Sequence, residues 1–155
     1  MKTTNAMRIL DGLKLPYEIY EYAFDENNLD ALHVSNELKL LPEQIFKTIV
    51  MINDEKKLFV FVLPADFTIS LKKAKALTGS KQIDLLKTTE LQKYTGYIRG
   101  GCSPLGMIKK YPTFIEETAL LEDYIYVSAG VRGQMIKLPP TDLIKAIDGV
   151  ICDFV

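Results

Sequence analysis

Apolar residues recur along the chain with two different spacings, and the spacing separates predicted helices from predicted strands. Apolar positions three or four residues apart predict amphipathic helices, and capping residues and glycines mark where these begin and end. Pro42 favours a further short helical turn. The predicted helices are one after Thr3 and Thr4 that ends at Gly12 and Pro16, one over residues 30–39, one between Ser70 and Gly79, one from a capping box at 89–92 to Gly96, and one around Leu143, Ile144 and Ile147.

Alternating or continuous apolar runs predict strands between these helices. Residues 45–52 and 57–63 are almost entirely apolar and are joined by the polar stretch 53–56, which is the pattern of an antiparallel hairpin buried on both faces. Further strands are predicted at 17–22, 113–116, 124–128 and 135–138, the last two joined by the turn 129–133. Strands interleaved with short helices, without a repeat or a linker, predict one mixed α/β domain over residues 1–155.

Lys47 is unusual in the first strand of the predicted hairpin. Every other side chain from 45 to 52 is apolar or β-branched. An unpaired ammonium in an apolar interior costs free energy comparable with the stability of a whole domain, so it needs a partner or water. Two interpretations remain: the lysine faces a binding site, or its head reaches solvent at the end of the strand.

Residues 96–106, GYIRGGCSPLG, place four glycines and a proline between two structured halves of the chain. Glycines concentrated in this way indicate unusual backbone angles, or a main chain that a ligand must approach closely. We therefore predict a site built from main-chain N–H donors, which can hold a phosphate, a carboxylate or a polarised carbonyl oxygen.

Three familiar kinds of site fit this loop poorly. The pair at 107–108 is Met-Ile, where a P-loop requires Lys and Ser or Thr. Leu105 replaces the glycine that would complete a nucleophile elbow around Ser103. Cys102 could act as an activated thiol only beside a base, and nothing in the sequence brings the one histidine, His33, next to it.

Composition narrows the class of protein. The chain has 155 residues, of which 48% are hydrophobic and 25% charged, and no apolar run long enough to span a membrane, so we expect a soluble domain. No apolar segment typical of a signal peptide follows Met1-Lys2-Thr3-Thr4, so the expected location is the cytoplasm. Cys102 and Cys152 are too few for a disulfide framework, and one histidine excludes multi-histidine metal sites. We expect free thiols, no metal and no cofactor.

Charge distribution is more informative than net charge. A formal net charge of −1 argues against a protein that coats nucleic acid non-specifically, and no DNA partner is expected. Arg99, Lys109 and Lys110 nevertheless bracket the glycine-rich loop, and a second basic group lies between Lys72 and Lys81. These residues either simply face water or give the site a local positive field.

Three segments together resemble the YbaK/EbsC-type aminoacyl-tRNA deacylases: Lys47 within IFKTIV, the loop 96–106, and the turn SAGVRG at 128–133. The resemblance extends from the first predicted helix to the last. It implies a single-domain relative of the editing insertion of bacterial prolyl-tRNA synthetases, with a mixed, mostly antiparallel, barrel-like sheet surrounded by short helices. It also implies hydrolysis of wrongly charged tRNA, typically Cys-tRNA(Pro), with prolyl-tRNA synthetase as a partner.

The resemblance carries site residues over to this chain. Lys47 and Gly100 match the family's essential positions, and Tyr22 matches a supporting tyrosine. We expect Gly101 to act with Gly100. The expected substrate-binding residues are Tyr22, Thr48, Cys102, Ser103, Pro104, Ser128 and Gly130. Met135 departs from relatives that carry a polar or acidic residue there, which leaves the amino-acid preference open.

A chemical hypothesis follows for the loop and the lysine. An aminoacyl ester is already activated, so a deacylase can work by orienting it and stabilising the oxyanion. We expect amides of Gly100 and Gly101 to hold the aminoacyl carbonyl and the terminal ribose, and Lys47 to bind the tRNA 3′ end. The resemblance suggests that a cysteinyl substrate attacks its own ester and leaves as a thiolactone.

Three alternatives remain open at this stage. The loop could belong to a module that binds aminoacyl or nucleotide ends without turnover. The deacylase could prefer another amino acid, such as alanine. A hydrolase with Cys102 as nucleophile is the third possibility.

Overall fold

Five α-helices and eight strands lie along residues 2–155, which are the residues that this computed structural model describes. The helices are α1 (Asn5–Gly12), α2 (Ala31–Leu38), α3 (Leu71–Thr78), α4 (Thr88–Thr95) and α5 (Pro140–Ile147). The strands are β1 (Glu18–Glu21), β2 (Phe46–Asn53), β3 (Leu58–Pro64), β4 (Ile83–Leu85), β5 (Thr113–Glu116), β6 (Ile125–Ser128), β7 (Gln134–Leu138) and β8 (Val150–Cys152). Short 3₁₀ turns lie at Pro42–Gln44 and Glu117–Leu121. All five predicted helices, the turn at Pro42 and all six predicted strands are confirmed.

The strands form two sheets. The larger has the order β4-β2-β3-β5-β8 and the smaller the order β1-β7-β6. The pairs β3-β5 and β5-β8 are parallel and the other pairs are antiparallel. A parallel bridge between Ile45 and Tyr126 connects the two sheets without closing residues 2–155 into one barrel. The predicted class, a mixed and mostly antiparallel α/β fold, is confirmed.

Several helix ends follow the capping residues of the sequence. Thr4 Oγ1 accepts a hydrogen bond from the Met7 N–H, and Ser70 Oγ accepts one from the Lys73 N–H. Gly79 and Gly96 close α3 and α4 in the left-handed conformation. The predicted capping box at 89–92 is wrong: α4 begins at Thr88, after Lys87, and no side chain caps it.

Two three-residue strands, β4 and β8, lie at the edges of the large sheet. Neither was predicted, because three residues cannot show a period. β4 pairs with the end of β2, from Met51 to Asn53, and β8 pairs with β5. Since β4 is so short, the first half of β2 has a neighbouring strand, β3, on one side only.

The core lies on both faces of the β2-β3 hairpin, as predicted, although β3 is buried throughout and β2 only in part. The α1 residues Ala6, Met7 and Leu10 are buried in the largest apolar cluster. Gly106 of the glycine-rich loop lies on the first turn of α1, so closely that a Cβ there would be 2.8 Å from the Asn5 carbonyl carbon. This helix therefore supports the loop as well as the core. No helix within residues 2–155 has the length and apolar character needed to cross a membrane.

Candidate functional site

A cavity of about 560 Å³ opens along the first half of β2, at the edge that faces away from β3. Its walls come from α2, from α4, from the start of the glycine-rich loop and from the ends of β6 and β7. Among the residues singled out from the sequence, the cavity is lined by Tyr22, Lys47, Thr48, Arg99, Gly100, Cys102, Ser128 and Met135. Segments distant in sequence therefore meet at one cavity.

The edge of β2 exposes main-chain groups to this cavity. The Leu86 N–H donates to the Val50 carbonyl, so Val50 directs its polar groups away from β3. Backbone polar groups two residues apart on a strand point to the same side, which turns those of Thr48 to the open edge. The Thr48 Oγ1 atom is buried and has no hydrogen-bond partner within residues 2–155. A buried hydroxyl left in this state costs free energy, so Thr48 is a candidate ligand contact.

The Lys47 ammonium is half-buried at the cavity wall. Its Nζ donates to the Ala65 carbonyl at 3.0 Å. Burial lowers the pKa of Lys47 from its ordinary value of 10.5, and the negative charges of Asp66 and Asp30 partly oppose that shift. Neither carboxylate lies within salt-bridge distance of Nζ. The lysine therefore keeps donor capacity for an anionic or carbonyl oxygen of a ligand.

The start of the glycine-rich loop is a tight turn over residues 98–101. The Gly101 N–H donates to the Ile98 carbonyl at 2.9 Å. Gly100 has a φ of +86°, which is typical of the third position of a type II turn. Because Gly101 closes the turn, its amide is not free for substrate, contrary to the expectation from sequence. The N–H groups of Gly100 and Cys102 have no acceptor within residues 2–155.

Arg132 fixes the middle of this turn. Its Nε donates to the Arg99 carbonyl at 2.9 Å. That carbonyl and the Gly100 N–H belong to one planar trans peptide, so they point in opposite directions. A Cβ at Gly101 would be 3.1 Å from the main-chain nitrogen of Arg132, which shows how closely this turn packs on the turn 129–133. The Gly100 N–H is therefore held in one orientation.

The rest of the loop is buried support. Ser103 and Pro104 lie outside the cavity and are inaccessible, and Ser103 Oγ accepts from the Leu105 N–H. Tyr97 Oη donates to the Leu105 carbonyl at 2.6 Å, and its ring leaves no space for a Cβ at Gly130. Gly130 does not line the cavity. For these three residues, predicted as substrate contacts, the structure indicates a role in loop shape.

Tyr22 and Ser128 are hydrogen-bonded to the two ends of the turn 129–133. The Tyr22 N–H donates to the Gly133 carbonyl at 2.9 Å. Burial raises the pKa of the Tyr22 phenol, although Gly133 and Arg132 oppose the shift, so the hydroxyl stays protonated and can donate. Ser128 Oγ accepts from the Gly130 N–H at 3.1 Å, which leaves its own proton free for another acceptor.

The thiol and the imidazole do not form a catalytic pair. Burial raises the pKa of Cys102 to about 12, so the thiol is protonated at neutral pH. His33 Nε2 lies 3.7 Å from the Glu37 carboxylate on the surface of α2. The structure thus provides no base for a Cys102 nucleophile. Within residues 2–155, no three His, Cys, Asp or Glu side chains converge as a metal site would require.

Asp30 is a cavity residue that the sequence did not reveal. Asp30 Oδ1 caps α2 by accepting a hydrogen bond from the His33 N–H at 2.9 Å. Asp30 also lines the cavity, together with Lys47. The capping position was visible in the sequence, but the approach of α2 to β2 was not. Arg132 belongs to the SAGVRG turn at 128–133, but its contact with the Arg99 carbonyl depends on how the two loops pack.

Comparison with known proteins identifies one family over most of this chain. The sequence profile of the aminoacyl-tRNA editing domain family matches residues 25–146. A protein of Enterococcus faecalis (strain ATCC 700802 / V583), provisionally named Cys-tRNA(Pro)/Cys-tRNA(Cys) deacylase EbsC, is 40% identical over 146 residues, which cover 94% of this chain and 89% of that protein.

Two solved structures share the fold at low sequence identity. The hypothetical protein APE2540 superposes with a TM-score of 0.88 at 18% identity, covering 97% of this chain and 99% of that one. A protein provisionally described as a trans-editing enzyme for prolyl-tRNA synthetase superposes with a TM-score of 0.83 at 18% identity, covering 99% of this chain and 98% of that one.

Proposed function

The chain belongs to the aminoacyl-tRNA editing domain family, and we propose that it is a trans-editing deacylase that hydrolyses mischarged tRNA, with Cys-tRNA(Pro) as its main substrate. The observation that carries the proposal is the meeting, at one cavity, of the Lys47 ammonium and the Gly100 turn. The EbsC relative, by its name a deacylase of Cys-tRNA(Pro) and Cys-tRNA(Cys), supports the choice of substrate.

The reaction needs orientation and charge stabilisation more than a protein nucleophile. When the ester carbonyl is attacked, negative charge develops on its oxygen. We assign the Gly100 N–H, oriented through Arg132, and the free Cys102 N–H as donors to this oxygen. Donors fixed before the reaction need no reorganisation as the charge forms.

Lys47 and Thr48 have different roles in this proposal. The Lys47 ammonium binds a phosphate or ribose oxygen of the terminal adenosine, since its single hydrogen bond, to Ala65, leaves further donor capacity. The buried hydroxyl of Thr48, without a partner in the described chain, binds the substrate's aminoacyl group. Tyr22 and Ser128, which also line the cavity, supply further hydroxyl donors.

A cysteinyl ester can provide its own nucleophile. The substrate's sulfur attacks its carbonyl carbon, a C–S bond forms, and the C–O bond to the ribose breaks. The thiol proton passes to the departing ribose oxygen. The products are a cyclic thiolactone and uncharged tRNA, and water later opens the thiolactone. Cys102 stays protonated and takes no part.

Editing after the tRNA has been charged excludes wrong amino acids that a single binding pocket of a synthetase cannot exclude. A methylene group in an apolar pocket discriminates by only ~1–3 kcal/mol, which is too little to exclude a small wrong amino acid. We propose that prolyl-tRNA synthetase is the partner that delivers the mischarged tRNA, and that both act in the cytoplasm. The trans-editing description of one structural neighbour supports this partner.

The test is to mix the protein with cysteinyl-, alanyl- and prolyl-tRNA(Pro) and to follow ester loss and thiolactone release. We expect many turnovers with cysteinyl-tRNA(Pro) and none with prolyl-tRNA(Pro). Stoichiometric capture without ester loss would identify a binding module instead. Faster loss of the alanyl ester would keep the deacylase but reject both the substrate and the self-attack.

A further inference from the structure

A second cavity, of about 360 Å³, lies where the β2-β3 turn meets the end of the glycine-rich loop. We call it the basic groove and define it by Lys56, Lys57, Lys109, Tyr94 and Tyr111. No carboxylate is among its lining residues. A further lysine, Lys93, has its Nζ 5.2 Å from the centroid of the Tyr94 ring. Lysines interleaved with aromatic rings are typical of grooves that bind nucleic acid strands.

The lysines of the basic groove are held on ordered turns. Asn53 Oδ1 accepts the N–H groups of Glu55 and Lys57, both at 2.9 Å, and the Lys56 N–H donates to the Asn53 carbonyl. The Tyr111 hydroxyl donates to the Tyr94 carbonyl at 2.7 Å. The backbone that presents the charges is therefore fixed before any ligand arrives.

Little in the chain neutralises these charges. Lys57 lies 3.4 Å from Glu55, but both side chains are exposed, and such pairs contribute little. Lys56 and Lys109 have no salt bridge within residues 2–155. Three positive side chains with one weak partner give the groove a local positive field, although the whole chain carries a net charge of −1.

The basic groove and the first cavity share α4 as a wall. Thr88 and Leu91 line the first cavity and Tyr94 lines the groove, so the two lie within ~9 Å along the helix axis. The glycine-rich loop also joins them: Arg99 and Gly100 line the first cavity, and Lys109 lines the groove. A strand with its 3′ end in the first cavity would reach the groove within a few nucleotides.

We propose that the basic groove binds the acceptor-strand phosphates of the same tRNA whose aminoacyl end enters the first cavity. This inference rests on the proposed function. The lysines neutralise successive phosphates, and the tyrosine rings contact ribose or base. The groove thus adds affinity for RNA without reading its sequence, and the number of charges sets a modest salt dependence.

The test compares two charge-neutralising triple variants. Lys56→Gln/Lys57→Gln/Lys109→Gln removes the charges of the basic groove and keeps most of each stem. Lys72→Gln/Lys75→Gln/Lys81→Gln makes the same charge change at residues that line neither cavity. Each variant is assayed with full cysteinyl-tRNA(Pro) and with 3′-cysteinyl-adenosine, a single nucleoside that is too short to reach the groove.

We expect the groove variant to lose roughly tenfold or more in kcat/KM with full tRNA, through KM, and to keep its rate on cysteinyl-adenosine. The slope of log affinity against log salt should become shallower by roughly 2. The control triple should match the wild type on both substrates. Equal behaviour of the two triples on full tRNA, or equal loss on both substrates, would overturn the proposal.

Binding of uncharged tRNA(Pro) separates this inference from the proposed function. Wild-type affinity that the groove triple lacks supports the groove, even if no ester is ever cleaved. Deacylation by the wild type that the groove triple retains in full supports the function and rejects the groove. Loss of prolyl-tRNA synthetase association with unchanged tRNA binding would show that the groove meets a protein, and would also reject it.

Discussion

The Arg132 guanidinium holds the Arg99 main chain: its Nε donates to the Arg99 carbonyl oxygen at 2.9 Å. This contact ties two loops that are 33 residues apart in sequence. Because the carbonyl shares its peptide plane with the Gly100 N–H, a side chain outside the reaction sets the direction of a proposed oxyanion donor. Arg132 is in this sense a positioning residue.

Arg132→Ala should lower kcat by about tenfold and change KM little. Removal of an oxyanion donor costs roughly 100- to 1,000-fold, and here the donor remains but is less well oriented. Arg99→Ala is the matched control, since it keeps the carbonyl and removes only a side chain that lines the cavity. It should affect KM rather than kcat. A change in KM alone for Arg132→Ala would contradict the positioning role.

Lys47→Met should reduce kcat/KM by about 100-fold without destabilising the fold. Burial already disfavours the charged ammonium, so an apolar side chain of similar length removes that cost along with the hydrogen bond to Ala65. The measurements are deacylation rate and Tm. Lys47→Arg tests whether charge alone suffices. A variant that is both fully folded and fully active would remove Lys47 from the mechanism.

The titration of Lys47 should occur below its ordinary pKa of 10.5. Between the lowered folded pKa and the unfolded pKa, the unfolded chain binds more protons, so the contribution of Lys47 to stability rises with pH in that window. The ¹³Cε resonance of Lys47 reports the titration. Asp66→Asn should lower the pKa further, because the carboxylate favours the ammonium. An upward shift in that variant would contradict the assigned cause.

Gly100→Ala should destabilise the protein by ~1–2 kcal/mol, because its φ is +86°. The new Cβ would also lie 3.0 Å from Leu29 Cδ2, so the turn must shift and deacylation should fall by roughly 100-fold.

Gly79→Ala is the control for Gly100→Ala. Its φ is +66°, and no atom lies within 4 Å of the added Cβ. Its Tm should fall by roughly 2–6 °C, as for Gly100→Ala, while activity is retained because Gly79 lines neither cavity. Equal losses of activity in both variants would assign the effect to stability alone.

Cys102→Ala should keep kcat within about tenfold of the wild type, whereas loss of a true nucleophile costs on the order of 10⁴-fold or more. The thiol has a pKa of about 12 because it is buried, so iodoacetamide should modify it slowly at pH 8 in the folded protein and quickly after unfolding. Rapid alkylation of the native protein with loss of activity would support the thiol hydrolase instead.

The sequence predicted the elements with strong local signals. The β2-β3 hairpin, α1 with its Thr4 cap and α3 between Ser70 and Gly79 all have periodicity and an end signal in one segment. By contrast, β4 and β8 are three residues long and exist through pairing with a neighbour. Lys87 precedes α4 without capping it. The packing of Leu91 and Tyr94 against the core can stabilise a helix that has no side-chain cap at its start.

The candidate site could be predicted only as far as local chemistry reveals it. The placement of Lys47 and Gly100 at one cavity agrees with the prediction, although their catalytic roles stay a prediction. The sequence could not show that the Gly101 N–H already donates to the Ile98 carbonyl, because the residue that closes a turn depends on the backbone conformation. The places of Asp30 and Arg132 depend on how α2 and two loops pack, and the basic groove joins Lys56 to Lys109 across about a third of the chain.

The contact between Gly106 and the first turn of α1 bears on how this domain can be shortened. The family match spans residues 25–146, yet α1, on which the glycine-rich loop rests, lies before it, and so does β1. A protein trimmed to the matched span would expose the surface on which Gly106 rests and would leave the outer edge of β7 uncovered. A shortened form of this protein should therefore begin before Asn5 and not at residue 25.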